Sequence, residues 1–299
     1  MTTRRRFLSI VAGAVALPVI GARASANVAQ WHGIALGAEA QIILDHPDAD
    51  RLIASAVAEI KRLESIFSLY QTDSQLTRLN RDSVLENPAF EMIELLSICS
   101  ALNARTSGAF DPTVQTLWST YAEAYATGVA PDAGSIEKAM SVTGWRHVQY
   151  SAQRISFDRA GVRLTLNGIA QGFIADKVTN LLRDNGVSNV LVNTGEIVAS
   201  GTAPSGDEWR VKLGSDDGQR VSLQNAAIAT SAPLGTTFDV NGKVGHILDP
   251  RTGYPGGVWS GVSVVASSAA EADGLSTAFC LMSESEIESS KAESQVYLR

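Results

Sequence analysis

Apolar side chains recur at three- and four-residue steps in several stretches of the chain, and this spacing predicts amphipathic helices. The clearest stretch is 48–69, where Asp48 is expected to cap the first turn. Its buried face is predicted to comprise Leu52, Ala56, Ile60, Leu63 and Phe67. Further helices are predicted within 68–82, over 87–107, within 110–125 after a proline-marked turn, over 169–186 and over 269–282, with Gly108 and Gly186 as two of the stops.

Short apolar runs between these stretches predict strands. Residues 31–45 are expected to form one or two strands around a glycine-marked turn, and residues 127–134 a flexible surface loop. The other predicted strands are 147–150, 154–157, 162–166, 189–195, 209–214, 221–224, 226–232, 242–250 and 258–268. Because no linker or repeat divides the chain, the pattern predicts a single α+β domain with substantial sheets.

The first 26 residues have the pattern of an export signal. Arg4, Arg5 and Arg6 precede an apolar run over 7–22, and small residues at 24–26 predict cleavage after Ala26. The run is shorter than the roughly 20 apolar residues that a membrane-spanning helix needs. Residues 3–8 match the twin-arginine pattern, with an ordinary secretory signal as the alternative. The sequence thus predicts a signal over 1–26, a folded unit over 27–299 and a periplasmic location.

Composition narrows the class of protein further. Of 299 residues 45% are hydrophobic, which excludes a disordered chain. There are 24 basic and 31 acidic residues, a net charge of −7, and removing 1–26 leaves 20 basic residues and a net charge of −11. Such an acidic chain is not expected to bind nucleic acid. No Cys follows the apolar run, so no lipid anchor is expected. Cys99 and Cys280 are predicted to be buried free thiols, with a disulfide between them as the alternative.

Two glycine-containing clusters are candidates for ligand binding. In 107–114 (SGAFDPTV), Asp111 is able to cap a turn that Pro112 fixes, and a plain Asx-Pro turn is the alternative explanation. In 165–177 (TLNGIAQGFIADK), Gly168 and Gly172 flank the start of a predicted helix. Free amides at a helix start suit a phosphate, although glycine required only for packing would give the same pattern.

Two further clusters are rich in polar side chains. Residues 244–255 (VGHILDPRTGYP) place His, Asp, Arg and Tyr in one turn, which is typical of a functional loop, whereas a single His here is more often structural. On the last predicted helix Asp273 and Thr277 are four residues apart, so their oxygens share a face. This pair suits Mg²⁺, which takes few protein oxygens, and helix capping by Asp273 is the alternative.

In their order and spacing these clusters resemble the ApbE family of flavin transferases, once described as thiamine-biosynthesis lipoproteins. The resemblance covers about residues 31–285. It is carried by SGAFDPTV, NGIAQGFIADK, LVNTGE, ATSA, HILDPRTGYP and ADGLSTA. It implies a two-lobed α+β domain, with mixed or antiparallel sheets flanked by helices and FAD held between the lobes. The implied activity is Mg²⁺-dependent transfer of FMN from FAD to a Thr or Ser hydroxyl of an acceptor protein, such as a respiratory or electron-transfer protein, with release of AMP.

The resemblance also implies a set of site residues. The metal would be held by the Gly168 carbonyl and by side-chain oxygens of Asp273 and Thr277. The positions implied to contact the flavin and adenosine are Leu36, Tyr70, Ala109, Phe110, Asp111, Thr165, Gln171 and Ile247. The chain departs from the family pattern at Leu36 (usually Met), Thr165 (usually an acid) and Gln171 (usually Lys). The changes at Thr165 and Gln171 keep open a flavin-binding maturation factor without turnover, and an FAD pyrophosphatase is a further alternative within the family. No residue is predicted to take the acceptor's proton.

Overall fold

The computed structural model describes residues 14–16, 28–213 and 219–299. Its strands are β1 (Ala14–Ala16), β2 (Val28–Ala35), β3 (Ala38–Asp45), β4 (Val84–Glu86), β5 (Val148–Tyr150), β6 (Arg154–Phe157), β7 (Val190–Asn193), β8 (Ile197–Ser200), β9 (Trp209–Leu213), β10 (Arg220–Leu223), β11 (Ala226–Ser231), β12 (Val262–Ala266) and β13 (Gln295–Leu298). Its α-helices are α1 (Ala49–Phe67), α2 (Gln75–Asp82), α3 (Phe90–Arg105), α4 (Gln115–Ala126), α5 (Ala133–Met140), α6 (Ala170–Asp184), α7 (Ala269–Phe279) and α8 (Glu284–Ser290).

A seven-stranded sheet in the order β13-β12-β11-β8-β7-β3-β2 forms the centre of the fold. Successive residues of a strand point to opposite faces, and β3 shows the consequence. Ile42 and Leu44 enter the large core under the helices, whereas Ile43 joins a second core built with β9 and β10 on the other face. Every strand pairing in the part of the chain that the structure describes is antiparallel. The predicted α+β class is therefore confirmed.

Helix α1 forms as its apolar spacing predicts, but it begins differently. All five predicted core positions on it are buried. Asp48 precedes the helix without capping it through its side chain, and its carboxylate lies 3.5 Å from Arg51 instead. The Asp48 amide donates to His46 Nδ1. The predicted capping role of Asp48 is therefore wrong.

Two predicted strands are absent from the described residues. Residues 162–166 have irregular backbone because the Asn80 side chain takes both backbone hydrogen-bonding groups of Leu164. It donates to the Leu164 carbonyl at 2.8 Å and accepts from the Leu164 amide at 2.7 Å. Residues 242–250 form turns with isolated bridges at Gly245 and Leu248. Elements that the sequence did not predict are β1, β4, α5, β8, α8 and β13.

The two cysteines are buried and unpaired, as predicted. Burial raises the pKa of both thiols, so they stay protonated at neutral pH. No helix within residues 14–16, 28–213 and 219–299 has the length and hydropathy to cross a bilayer. The predicted signal lies outside the described residues except for Ala14–Ala16, which pairs with β9.

Candidate functional site

The site is built where the start of α6 lies against α7. A Cβ placed on Gly172 would come within 2.2 Å of the Ala269 carbonyl oxygen, so the two helix backbones touch here. One turn earlier, a Cβ on Gly168 would lie 2.8 Å from Thr277 Oγ1. Glycine at both positions allows a close approach that any side chain would block. The structure therefore brings together Gly168 and Thr277, two of the three predicted metal ligands.

Asp273, the third predicted ligand, is a buried carboxylate in the middle of α7. It is 3% exposed, and its Oδ2 accepts a hydrogen bond from the Gly172 amide at 3.2 Å. The helix is capped by Ser268, whose side chain accepts from the Glu271 amide. The alternative explanation of Asp273 as a cap is therefore wrong. Among the described residues no Lys, Arg or His side chain pairs with it.

Two more acidic residues, Glu196 and Asp176, interact electrostatically with Asp273. Glu196 is 4% exposed and accepts from the Thr230 amide at 3.2 Å. Burial raises the pKa of Glu196, and the neighbouring Asp273 raises it further. Burial also raises the pKa of Asp273, against the effect of its hydrogen bond from Gly172, and Asp176 adds to the rise. Buried carboxylates without a cationic side chain are stabilised by a bound cation.

Hydroxyl groups complete the donor set beside Asp273. Ser231, at the end of β11, lies 2.7 Å from Ser276 Oγ and 3.3 Å from Thr277 Oγ1. The described residues hold no cluster of three or more His, Cys, Asp or Glu suited to a metal. A cation here would therefore be held by one carboxylate, hydroxyl oxygen and a backbone carbonyl. Hard oxygen donors of this kind, few in number, fit Mg²⁺.

Asp111 holds the 107–114 segment in place. Its Oδ1 accepts from the Thr113 amide at 2.9 Å and the Thr113 hydroxyl at 2.7 Å, and its Oδ2 accepts from the Trp145 amide at 2.8 Å. The Asx-Pro turn is therefore present, and Asp111 shapes it. Both of its side-chain oxygens accept hydrogen bonds from the protein. A role of Asp111 in flavin binding therefore stays a prediction, and Asp111 would contribute by holding the loop in shape.

Four predicted flavin positions lie around α1 and α7. Tyr70 follows α1 and is 68% exposed, which leaves its ring free to stack. Leu36 sits in the β2–β3 turn with a φ of 46°, and its amide donates to Glu64 Oε1 on α1. Ala109 and Phe110 are buried. A Cβ on Gly274 would lie 3.5 Å from Phe110 Cε2, so Phe110 packs against α7 next to Asp273.

Two of the three departures from the family pattern, Thr165 and Gln171, have structural partners. The Thr165 amide donates to the Pro112 carbonyl at 2.8 Å, which ties it to the Asp111 turn. Gln171 is 4% exposed, and its side chain packs against Gly195, where a Cβ would come within 2.6 Å of Nε2. Both positions thus lie beside the site, but Gln171 carries no charge for a phosphate.

His246 and Ile247 belong to the polar turn at 244–255. Ile247 is buried in the main core. His246 Nδ1 lies 3.0 Å from the Thr236 carbonyl and 3.2 Å from the Pro233 carbonyl, so Nδ1 carries the hydrogen and Nε2 keeps its lone pair. Burial lowers the pKa of His246, which keeps the ring neutral. The ring is therefore a candidate base, whereas the sequence favoured a structural role.

Glu196 and Asp176 were missed by sequence reasoning. Glu196 lies within the LVNTGE segment, and Asp176 within NGIAQGFIADK. Neither has a spacing that relates it to Asp273, because Glu196 and Asp176 come near enough to exchange electrostatic effects with Asp273 only when the segment before β8, α6 and α7 pack together. The one sequence feature that pointed to these two residues is that each lies in a segment that carries the resemblance to the family.

The protein has an antiparallel α+β fold, and a buried cluster of oxygen atoms lies between two of its helices and the end of a strand. A site of this kind suits a hard cation. The chain belongs to the ApbE family, whose model matches residues 34–297. It is 30% identical over 75% of its length to a FAD:protein FMN transferase of Vibrio cholerae, covering 71% of that protein. It is 28% identical over 80% of its length to one of Klebsiella pneumoniae, covering 73%.

Solved structures share the fold. The apo form of the Pseudomonas stutzeri flavinyl transferase ApbE superposes with a TM-score of 0.81 at 28% identity, covering 91% of this chain and 90% of that one. The ApbE protein of Thermotoga maritima superposes with a TM-score of 0.81 at 25% identity, covering 91% and 94%. The predicted family is thus confirmed by sequence and by fold.

Proposed function

We propose that this protein transfers the FMN half of FAD to a Thr or Ser hydroxyl of an acceptor protein. The proposal rests on one observation: Gly168, Asp273 and Thr277 lie close together beside the buried Phe110. Relatives of similar sequence are FAD:protein FMN transferases. An acceptor in the respiratory or electron-transfer class would fit an exported enzyme.

Different residues of the site would serve different parts of a phosphoryl transfer. Asp273, Thr277 and the Gly168 carbonyl would hold Mg²⁺, which neutralises charge on the pyrophosphate when bound. The acceptor oxygen forms a bond to the phosphorus of the FMN half, the pyrophosphate P–O bond breaks and AMP leaves. The His246 Nε2 lone pair is available to accept the hydroxyl proton.

One incubation separates this function from its two alternatives. The protein is mixed with FAD, Mg²⁺ and a candidate acceptor, and the products are separated. Covalent flavin on the acceptor indicates transfer, free FMN with AMP indicates an FAD pyrophosphatase, and unchanged FAD indicates a maturation factor without turnover. The carboxylate at Asp273, kept buried without a cationic partner, argues against the last outcome because a mere binder needs no cation there.

Asp111→Ala is expected to weaken FAD binding by about tenfold with Mg²⁺ saturating. The reason is the loss of hydrogen bonds to Thr113 and Trp145, each worth about 1 kcal/mol, which releases the turn that would contact FAD. Fluorescence titration with FAD gives the affinity. Asp132→Ala removes a similar cap from α5, at an exposed position outside the candidate site, and should leave the affinity unchanged. Equal affinities for both variants would remove Asp111 from the site.

The site also predicts that Tyr70→Ala weakens FAD binding, because an exposed aromatic ring beside a flavin site is lost. Tyr70→Phe keeps the ring and should bind FAD nearly as well as the wild type. If both variants bind equally poorly, stacking is not the contribution of Tyr70.

We further propose that the protein reaches the periplasm by the twin-arginine route. Replacing Arg4 and Arg5 together by Lys is then expected to stop export of the mature form, because this route reads the arginine pair. Arg6→Lys, at the variable position, should leave export intact. Immunoblots of periplasmic and cytoplasmic fractions give the measurement, and normal export of the double variant would indicate an ordinary secretory signal.

A further inference from the structure

Helices α6 and α7 contact each other at successive levels and run in opposite directions. Gly168, just before α6, faces Thr277, since a Cβ on Gly168 would lie 2.8 Å from Thr277 Oγ1. Four residues later the Gly172 amide donates to Asp273 Oδ2, and Asp273 lies four residues before Thr277. One turn forward along α6 is thus matched by one turn backward along α7. Because the proposed metal ligands belong to the first two levels, their spacing depends on this register.

Asp176 forms a third level of the same contact. It lies four residues beyond Gly172 on α6, and its carboxylate reaches the start of α7. Its Oδ1 accepts from the Ala269 amide at 2.9 Å. Its Oδ2 accepts from the Ala270 amide at 3.0 Å and from the Ser268 hydroxyl at 2.8 Å. Each carboxylate oxygen of Asp176 therefore has a donor on α7 or at its N-cap.

Local capping of α7 does not account for Asp176. Ser268 already caps this helix, because its side chain accepts from the Glu271 amide at 3.3 Å. An acceptor on a neighbouring helix has an effect that a local cap lacks, since it fixes the position of α7 along α6. A slip of one residue would shift α7 by about 1.5 Å and rotate it by about 100°. Thr277 would then no longer face Gly168.

We propose that Asp176 is a positioning residue for the metal, which keeps Asp273 and Thr277 opposite Gly168 by holding the start of α7. The inference rests on the Mg²⁺ site of the proposed function. Asp176 is not itself a ligand in this scheme, because both of its oxygens accept hydrogen bonds from the α7 segment. Residues that orient metal ligands typically contribute roughly 10- to 100-fold to metal affinity.

Mn²⁺ serves as the probe, because electron paramagnetic resonance measures its free concentration without turnover. The full chain, loaded with FAD and without an acceptor, is titrated with Mn²⁺, and a titration of FAD alone corrects for binding outside the protein. Asp176→Glu keeps the negative charge but adds a methylene group, so the carboxylate no longer fits between its three donors. The Kd for Mn²⁺ is expected to rise about tenfold. Asp176→Asn, in which an amide nitrogen replaces one accepting oxygen, should weaken Mn²⁺ binding similarly.

All titrations are run well below the Tm of each variant. Asp132→Glu makes the same substitution at the exposed N-cap of α5 and should leave the Kd for Mn²⁺ unchanged. If Asp176 acted through its charge alone, Asp176→Glu would bind Mn²⁺ normally and only Asp176→Asn would bind it weakly. That result, or normal binding by both variants, would overturn the positioning role and leave the metal site standing. A wild type without saturable Mn²⁺ binding would refute the proposed metal site, and the role of Asp176 with it.

Discussion

Asp273→Ala is expected to lower the FMN transfer rate at least about a hundredfold while the protein stays folded. A metal ion supplies several kcal/mol of charge stabilisation in such a reaction, and each 1.36 kcal/mol corresponds to about tenfold in rate. Asp273 is the one carboxylate among the three proposed ligands, so its loss removes the only anionic oxygen from the cation. The fold should tolerate the change because removing a buried carboxylate also removes its desolvation cost.

The measurement is the transfer rate against Mg²⁺ concentration, together with the free energy of unfolding of each variant. Thr277→Ala should act in the same direction but more weakly, since a neutral hydroxyl binds a cation less strongly, and excess Mg²⁺ or Mn²⁺ should partly restore it. Thr120→Ala, which removes a hydroxyl that donates to the Thr116 carbonyl within α4, is the control and should keep most of the rate. An Asp273→Ala protein with a nearly normal rate and unchanged metal dependence would refute the metal assignment.

Gly172→Ala is expected to destabilise the protein by about 3 kcal/mol or more. The new Cβ would lie 2.2 Å from the Ala269 carbonyl oxygen and 2.8 Å from the Ala270 nitrogen, and both are backbone atoms that no rotamer change moves away. Overpacking of a buried contact costs about 1–3 kcal/mol, and more when backbone has to shift. Helices α6 and α7 would have to separate, which would also displace Gly168 from Thr277.

Urea unfolding gives the stability of this variant, with Gly134→Ala as the helical control. Gly134 lies in the first turn of α5, where a Cβ would come 3.2 Å from Asp132 Oδ1, the end of an exposed side chain that needs to shift by only a few tenths of an ångström. Because Ala favours helix over Gly, Gly134→Ala should stay within about 1 kcal/mol of the wild type. Equal stabilities for the two variants would contradict the close approach of α6 and α7.

The sequence predicted those elements whose apolar spacing is regular. Helix α1 buries all five predicted positions, because a period of 3.6 residues decides which face meets the sheet. The prediction from sequence failed where a side chain distant in sequence fixes the backbone conformation. Residues 162–166 have strand composition, but Asn80 takes both hydrogen-bonding groups of Leu164. Residues 242–250 are fixed by turns around Asp239, which accepts from the amides of Lys243 and Val244.

The site was predictable to the extent that its residues are close in sequence. Asp273 and Thr277 follow from a four-residue step on one helix, whereas the metal role of Gly168 rests on the resemblance to the family. Glu196 could not be related to them, because its distance from Asp273 depends on how β8 packs under the helices. The tautomer of His246 that leaves Nε2 with its lone pair depends on the Pro233 and Thr236 carbonyls, which are brought to Nδ1 only by the folded loop.

The contact between α6 and α7 would restrict which cation the proposed metal site is able to hold. Each helix holds the other by an amide: Asp176 on α6 accepts the first amides of α7, and Asp273 on α7 accepts the Gly172 amide of α6. Because the backbones already touch, Gly168 and Thr277 have little freedom to move apart. A larger ion such as Ca²⁺ needs longer bonds and more ligands than this close contact between the two helices allows. Rigidity between the helices would thus act as a size filter that discriminates against Ca²⁺ before any chemistry begins.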